Sequence, residues 1–212
     1  MRIQEIIEPE VNVKQQAKPF DMDKLNKAAE KQWRNPEKGK FSKGKENSKD
    51  PFMFDKTSLL PSELEDDAYY NYIMAAKPYM KSNPYFPRVY DITLTKDPSG
   101  KIIPKYSIEK LRELEYGPDD EGNLPALETN DALLDKIFFD PPKYANISHE
   151  IRKVALTGDF SNVKDEMLIK ALKLIQKVKE SNPKFNYDLN INNIMYRVGP
   201  MGPQIVLTDP LS

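Results

Sequence analysis

Apolar and polar positions divide this chain into a polar leader and a patterned remainder. Residues 13–50, VKQQAKPFDMDKLNKAAEKQWRNPEKGKFSKGKENSKD, sustain no apolar period. They allow one short helix over 22–33, with Leu25, Ala28, Ala29 and Trp33 on one side, and read as a solvated or partner-ordered arm. From Pro51 the pattern tightens. PFMFDKTS predicts a strand bounded by Asp50–Pro51 and Pro61, and DDAYYNYIMAAK predicts a helix over 66–77 with Pro78 just past its end. RVYDITLT and IIPKYSIEKL flank the turn KDPSGK and predict a hairpin over 88–95 and 102–108, whose Pro104 implies an edge strand or a bulge. EYGPDDEGNLPAL, 115–127, is rich in turn residues and reads as a boundary between two lobes. Helices are predicted over 130–139, 148–156 (preceded by Asn146) and 163–181. In the last of these Leu168, Ala171, Leu172, Ile175 and Val178 recur at helical spacing, opposite a face of lysines. Two short apolar strands, 194–198 and 204–208, close the chain around the turn GPMGP. The fold class expected is α+β, with an extended polar arm over 1–50, a small antiparallel-sheet lobe over 51–114 and a reduced helical lobe over 115–212.

Composition narrows the chemistry. The chain has 212 residues, 31% charged and 39% hydrophobic, enough for one sizeable domain with solvated extensions. A formal net charge of -1 gives no global field to recruit nucleic acid or an anionic membrane. In the arm, acidic residues are mixed among the lysines and Trp33 is the only aromatic between Phe20 and Phe41, so nucleic acid is not expected as a partner. The absence of cysteine removes disulfides and thiolate metal sites. With His149 as the one histidine, a multi-histidine metal site or a Ser-His-Asp triad is not expected, and His149 itself reads as a surface residue at a helix start. Tyr69, Tyr70 and Tyr72 read as packing between helix and hairpin. No stretch approaches a membrane span and the N-terminus has no apolar leader, so the expected setting is cytoplasmic, or a virion if the chain is phage-encoded.

The richest chemistry lies in NYDLNINNIMYRVGPMGPQIVLTDPLS. Asp188 and Asn193 precede one strand, and Asp209 ends the other. If the strands pair, Asn193 and Asp209 come together as a carboxylate and an amide oxygen, hard ligands suited to Mg²⁺. Asp188 on the loop is then placed to face a substrate hydroxyl, the division of labour that phosphoryl transfer requires.

DLNINNIMYR followed by IVLTDP resembles the catalytic loop and metal-binding segment of the protein-kinase-like superfamily, especially compact phage-encoded and small-molecule kinases. The resemblance implies ATP and Mg²⁺ as cofactors, Asp188 as the catalytic aspartate, and Asn193 and Asp209 as metal ligands. It implies Lys56 as the phosphate-binding lysine with Glu63 or Glu65 as its partner, and the backbone of Glu109 and Leu111 as the adenine-binding hinge. It covers roughly residues 50 to 212, with its specificity in the last twenty-five or so. The chain departs from the pattern in three ways. Asn186 and Tyr187 stand where the family usually has histidine and often arginine, and Gly39 and Gly44 are a thin substitute for a glycine-rich loop. The segment after Asp209 is short, so the expected form is C-terminally truncated. Two functions follow: an ATP- and Mg²⁺-dependent phosphotransferase, or a non-catalytic kinase-derived scaffold docking on a virion or host assembly through its arm. The sequence names neither substrate nor partner.

Overall fold

Two side chains that cap their own turns set up the first sheet. Asn47 accepts the amides of Lys49 and Asp50 at 2.8 and 3.1 Å, turning β1 (Ser42–Glu46) into β2 (Met53–Ser58). Asp97 accepts the amides of Ser99 and Lys101 at 2.8 and 2.9 Å, turning β3 (Val89–Lys96) into β4 (Ile102–Glu109). Gly100 in that turn has φ 87°, a conformation that side chains resist. The four strands pair antiparallel in the order β1-β2-β4-β3. The computed structural model describes residues 42–58, 63–114, 125–141, 146–199 and 202–212. Residues 35–212 belong to one compact unit.

This sheet corrects two expectations. β4 is central rather than an edge, and Pro104 is accommodated because pairing with β2 ends at Thr57↔Lys105. The register irregularity lies in β3, between Val89 and Asp91, not beside the proline. The sheet also begins upstream of Pro51, since β1 falls in the stretch read as an arm. Residues 1–41, which carry the rest of that arm, the helix over 22–33 and Gly39, lie outside the described residues, as do 115–124 of the expected lobe boundary.

Helix α1 (Ala68–Ala76) lies against the sheet, capped by Asp67, whose side chain accepts the Tyr70 amide at 2.8 Å. Its buried positions, Ala68, Tyr69, Tyr72, Ile73 and Ala76, form one helical face. Tyr69 meets Tyr106 of β4 edge-on at 4.8 Å, and Tyr72 lies 6.2 Å from Phe86, the packing role expected of the tyrosines. The helix starts two residues later than the pattern suggests, because Leu64–Asp66 forms a 3₁₀ turn and Asp66 pairs outward with Lys184 at 2.7 Å.

Beyond the first sheet come β5 (Arg112–Glu113), α2 (Pro125–Ile137), α3 (Ile147–Thr157), α4 (Glu166–Ser181), β6 (Ile194–Gly199) and β7 (Gly202–Leu207). The last two strands pair antiparallel from Ile194↔Leu207 to Gly199↔Gly202, and β5 joins them in the order β5-β6-β7. In α4 Leu168, Ala171, Leu172, Ile175 and Val178 are all buried, while Lys170, Lys173 and Lys177 face solvent. That helix begins at Glu166 rather than 163, because Asp165 caps it by accepting the amides of Met167 and Leu168, and Val163 instead bridges to Phe138. Helix α3 follows Asn146, whose side chain caps it, and His149 on its first turn is exposed. The architecture is α+β, with antiparallel sheets. Among the described residues no helix is long and apolar enough to cross a membrane.

Candidate functional site

Lys56 stands on β2, directly across from Gly44 of β1 and Tyr106 of β4. Gly44 is there for packing, since a Cβ would lie 2.0 Å from the Phe54 ring; it is a strand residue, not part of a phosphate-covering turn. The Lys56 ammonium sits 3.5 Å from the centroid of the Tyr69 ring and donates to Asp209 Oδ2 at 2.6 Å. The two partners are 153 residues apart in sequence, and their side chains are 13% and 26% exposed. Neither Glu63 nor Glu65 reaches the lysine: Asp209 and Tyr69 occupy the role expected of those glutamates.

At the end of the β6–β7 hairpin, Thr208 donates both its amide and its hydroxyl to the carbonyl of Asn193, each at 2.9 Å. Asn193 is thereby held beside the residue that precedes Asp209. Its side-chain nitrogen donates to the Asp188 carbonyl at 2.8 Å, which turns the amide oxygen free of that bond. The Asp188 amide donates to the Pro210 carbonyl at 2.8 Å, and Asn186 and Ser212 exchange backbone bonds at 2.8 and 3.0 Å. The segment after Asp209 therefore runs back along the 186–188 loop and fixes it. Asn190 holds the loop from within. Its amide nitrogen donates to Asp188 Oδ1 at 2.6 Å while its oxygen accepts the Asn192 amide at 2.9 Å.

Burial pushes the Asp209 carboxyl above the usual carboxylate range; Lys56 pulls it down, and Asp188 and Asp67 push it up again. Asp188 and Asp67 thus add negative potential at Asp209, while the one carboxylate in contact with the Lys56 ammonium is Asp209 itself. The donor set, carboxylate and amide oxygens, suits Mg²⁺, which accepts few protein ligands. Among the described residues no three His, Cys, Asp or Glu side chains form a metal group by themselves, so a cation held here would take Asn193 and non-protein oxygens as well.

Glu109 and Leu111 lie elsewhere in the unit, at the crossing from the first sheet to the second. Only Lys110 and Leu111 separate β4 from β5. The Glu109 amide donates to the Arg88 carbonyl at 2.9 Å, its carboxylate pairs with Arg197, and Leu111 is buried. Neither residue hydrogen-bonds to Lys56, Asp188, Asn193 or Asp209. Sequence reasoning missed Tyr69 as a cation partner and Arg197 altogether. The available signal for the latter was a guanidinium in the middle of the apolar strand IMYRV.

The geometry carries a pH-dependent prediction. Lys56→Met leaves the half-buried Asp209 without its cation, raising further a folded-state pKa that desolvation already lifts. The unfolded chain then loses this proton at lower pH than the folded one, so the destabilisation grows as pH rises through the carboxylate range and fades below it. The expected loss is about 3 kcal/mol near pH 7, mostly recovered near pH 4. Urea melts of both proteins at the two pH values check this; a loss independent of pH would assign the effect to packing over Tyr69 instead.

No protein-family model matches the chain, and no curated protein matches it.

Proposed function

We propose that the chain is a protein-kinase-like phosphotransferase that uses ATP and Mg²⁺. The observation that carries this reading is the 2.6 Å contact between Lys56 on a first-sheet strand and Asp209 at the end of the second-sheet hairpin. In protein kinases a strand lysine holds the phosphates and an aspartate holds the metal, so the two must face one cleft. The element order supports the same reading: a helix between β2 and β3, a hairpin, a two-residue crossing, and then a loop and hairpin bearing Asp188, Asn193 and Asp209.

On this reading Lys56 binds phosphate oxygens, and Tyr69 keeps its ammonium aimed by the ring face where the family uses a helix glutamate. Asp209 and Asn193 would hold Mg²⁺, whose charge would offset that of the phosphates. Asp188 orients an acceptor hydroxyl and takes its proton, with Asn190 restraining one carboxylate oxygen so that the other faces the acceptor. The backbone of Glu109 and Leu111 supports the adenine. The acceptor class is an alcohol. Calorimetric titration of ATP into the full chain with millimolar Mg²⁺ tests the reading: saturable heat is expected, and none would leave the non-catalytic scaffold as the better account.

A further inference from the structure

Arg197 and Glu109 are a buried ion pair outside the Lys56–Asp209 cluster, with side chains 16% and 9% exposed. Taking two charges out of water costs several kcal/mol unless each is fully hydrogen-bonded. Here the bonding is extensive. Arg197 Nε donates to Glu109 Oε2 at 3.0 Å, and Nη2 donates to Glu109 Oε1, making the pair bidentate. Nη1 donates to the Pro84 carbonyl at 2.7 Å and Nη2 also to the Phe86 carbonyl at 3.0 Å. Glu109 Oε1 accepts the Arg88 amide at 2.8 Å as well. One guanidinium thus joins three pieces of chain: β6, the last residue of β4, and the segment 84–88 that leads into β3.

The position of this pair is its second feature. The covalent link between the sheets is only Lys110–Leu111, and Tyr196, next to Arg197, pairs with Arg112 at the start of β5. The guanidinium therefore adds a non-covalent link at the crossing itself. Lysine cannot do this, because it offers a point charge rather than a planar fork able to meet a carboxylate and two carbonyls at once.

We propose that Arg197 is a positioning residue: it clamps the two sheets into one rigid body at the 110–111 crossing, and so presets the 109–111 backbone for a purine base. The second half rests on the nucleotide reading above; the first half does not. A segment already ordered spends less binding energy on ordering itself, so the gain appears in affinity for the base and not for phosphate.

Arg197→Met alone strands the buried Glu109 carboxylate, so the test uses the double variant Arg197→Met/Glu109→Gln, in which both charges leave together. Hydrogen exchange on the full chain reads the clamp directly. Amides of 109–113 and 195–197 are expected to exchange about tenfold faster in the double variant, with those of α4 unchanged. Unchanged rates at the crossing would overturn the clamp. Titration with ATP and with inorganic tripolyphosphate reads the preset: ATP binding weakens about tenfold while tripolyphosphate binding holds. Equal weakening of both, or of neither, overturns the preset. If wild-type protein binds no ATP, the nucleotide reading fails with it, and the exchange rates still decide the clamp.

Discussion

Asp209→Ala is expected to abolish Mg²⁺-dependent ATP binding. The substitution removes the carboxylate that, with Asn193, would hold the ion, so the phosphates would lose the divalent charge that offsets their own. The same change frees the Lys56 ammonium from its 2.6 Å partner. In EDTA, therefore, the variant should bind metal-free ATP at least as well as the wild type. Titrations with and without Mg²⁺ measure the difference; a variant that keeps its Mg²⁺-dependent increment places the metal elsewhere. Asp188→Ala is expected to behave in the opposite way. Its proposed role is to orient and deprotonate the acceptor, so binding should stay close to wild type while transfer to an acceptor alcohol falls about a thousandfold. Its backbone carbonyl, which positions Asn193, survives the substitution.

Tyr72→Ala carries the largest expected cost to the fold. The side chain is fully buried, lies 6.4 Å from the Tyr69 ring and 6.2 Å from Phe86, and donates its hydroxyl to the Leu207 carbonyl at 2.5 Å. Leu207 is two residues before Asp209, so this hydroxyl ties α1 to the strand that delivers the carboxylate. Removing the ring should cost about 3–5 kcal/mol by loss of buried surface and the cavity left behind. Tyr72→Phe keeps the ring and should cost only about 1–2 kcal/mol, the price of one buried carbonyl losing a donor. Urea midpoints at constant slope give both values. Phenylalanine costing as much as alanine would mean that the hydroxyl, rather than the ring, holds the helix in place.

Local features were legible from the residues alone. The apolar period of 168–178, the turn KDPSGK and the strand pair around GPMGP all rest on residues close together in the chain. Helix starts shifted where a nearer cap existed, as at Asp165 and Asp67, because several acidic residues compete within one turn. Of the candidate site residues, Asp188, Asn193 and Asp209 could be nominated by residue type and neighbourhood, and Lys56 only through the resemblance to protein kinases. Their partners could not. Tyr69 looks like any packing tyrosine on an amphipathic helix, and Glu109 like any charged residue at a strand end.

Periodicity and turn residues thus indicated most of the helices and strands, since those choices depend on near neighbours, but not β1, which lies in a polar stretch without an apolar period, nor the two-residue β5. Only the packed chain decided that β4 lies inside the sheet, that Lys56 turns to Asp209 and not to Glu63 or Glu65, and that Arg197 spans the crossing to Glu109. Those pairings join residues 153 and 88 positions apart. A charge chooses its partner by distance and by loss of water in the folded interior, and neither quantity exists until the sheets and α1 have closed around it.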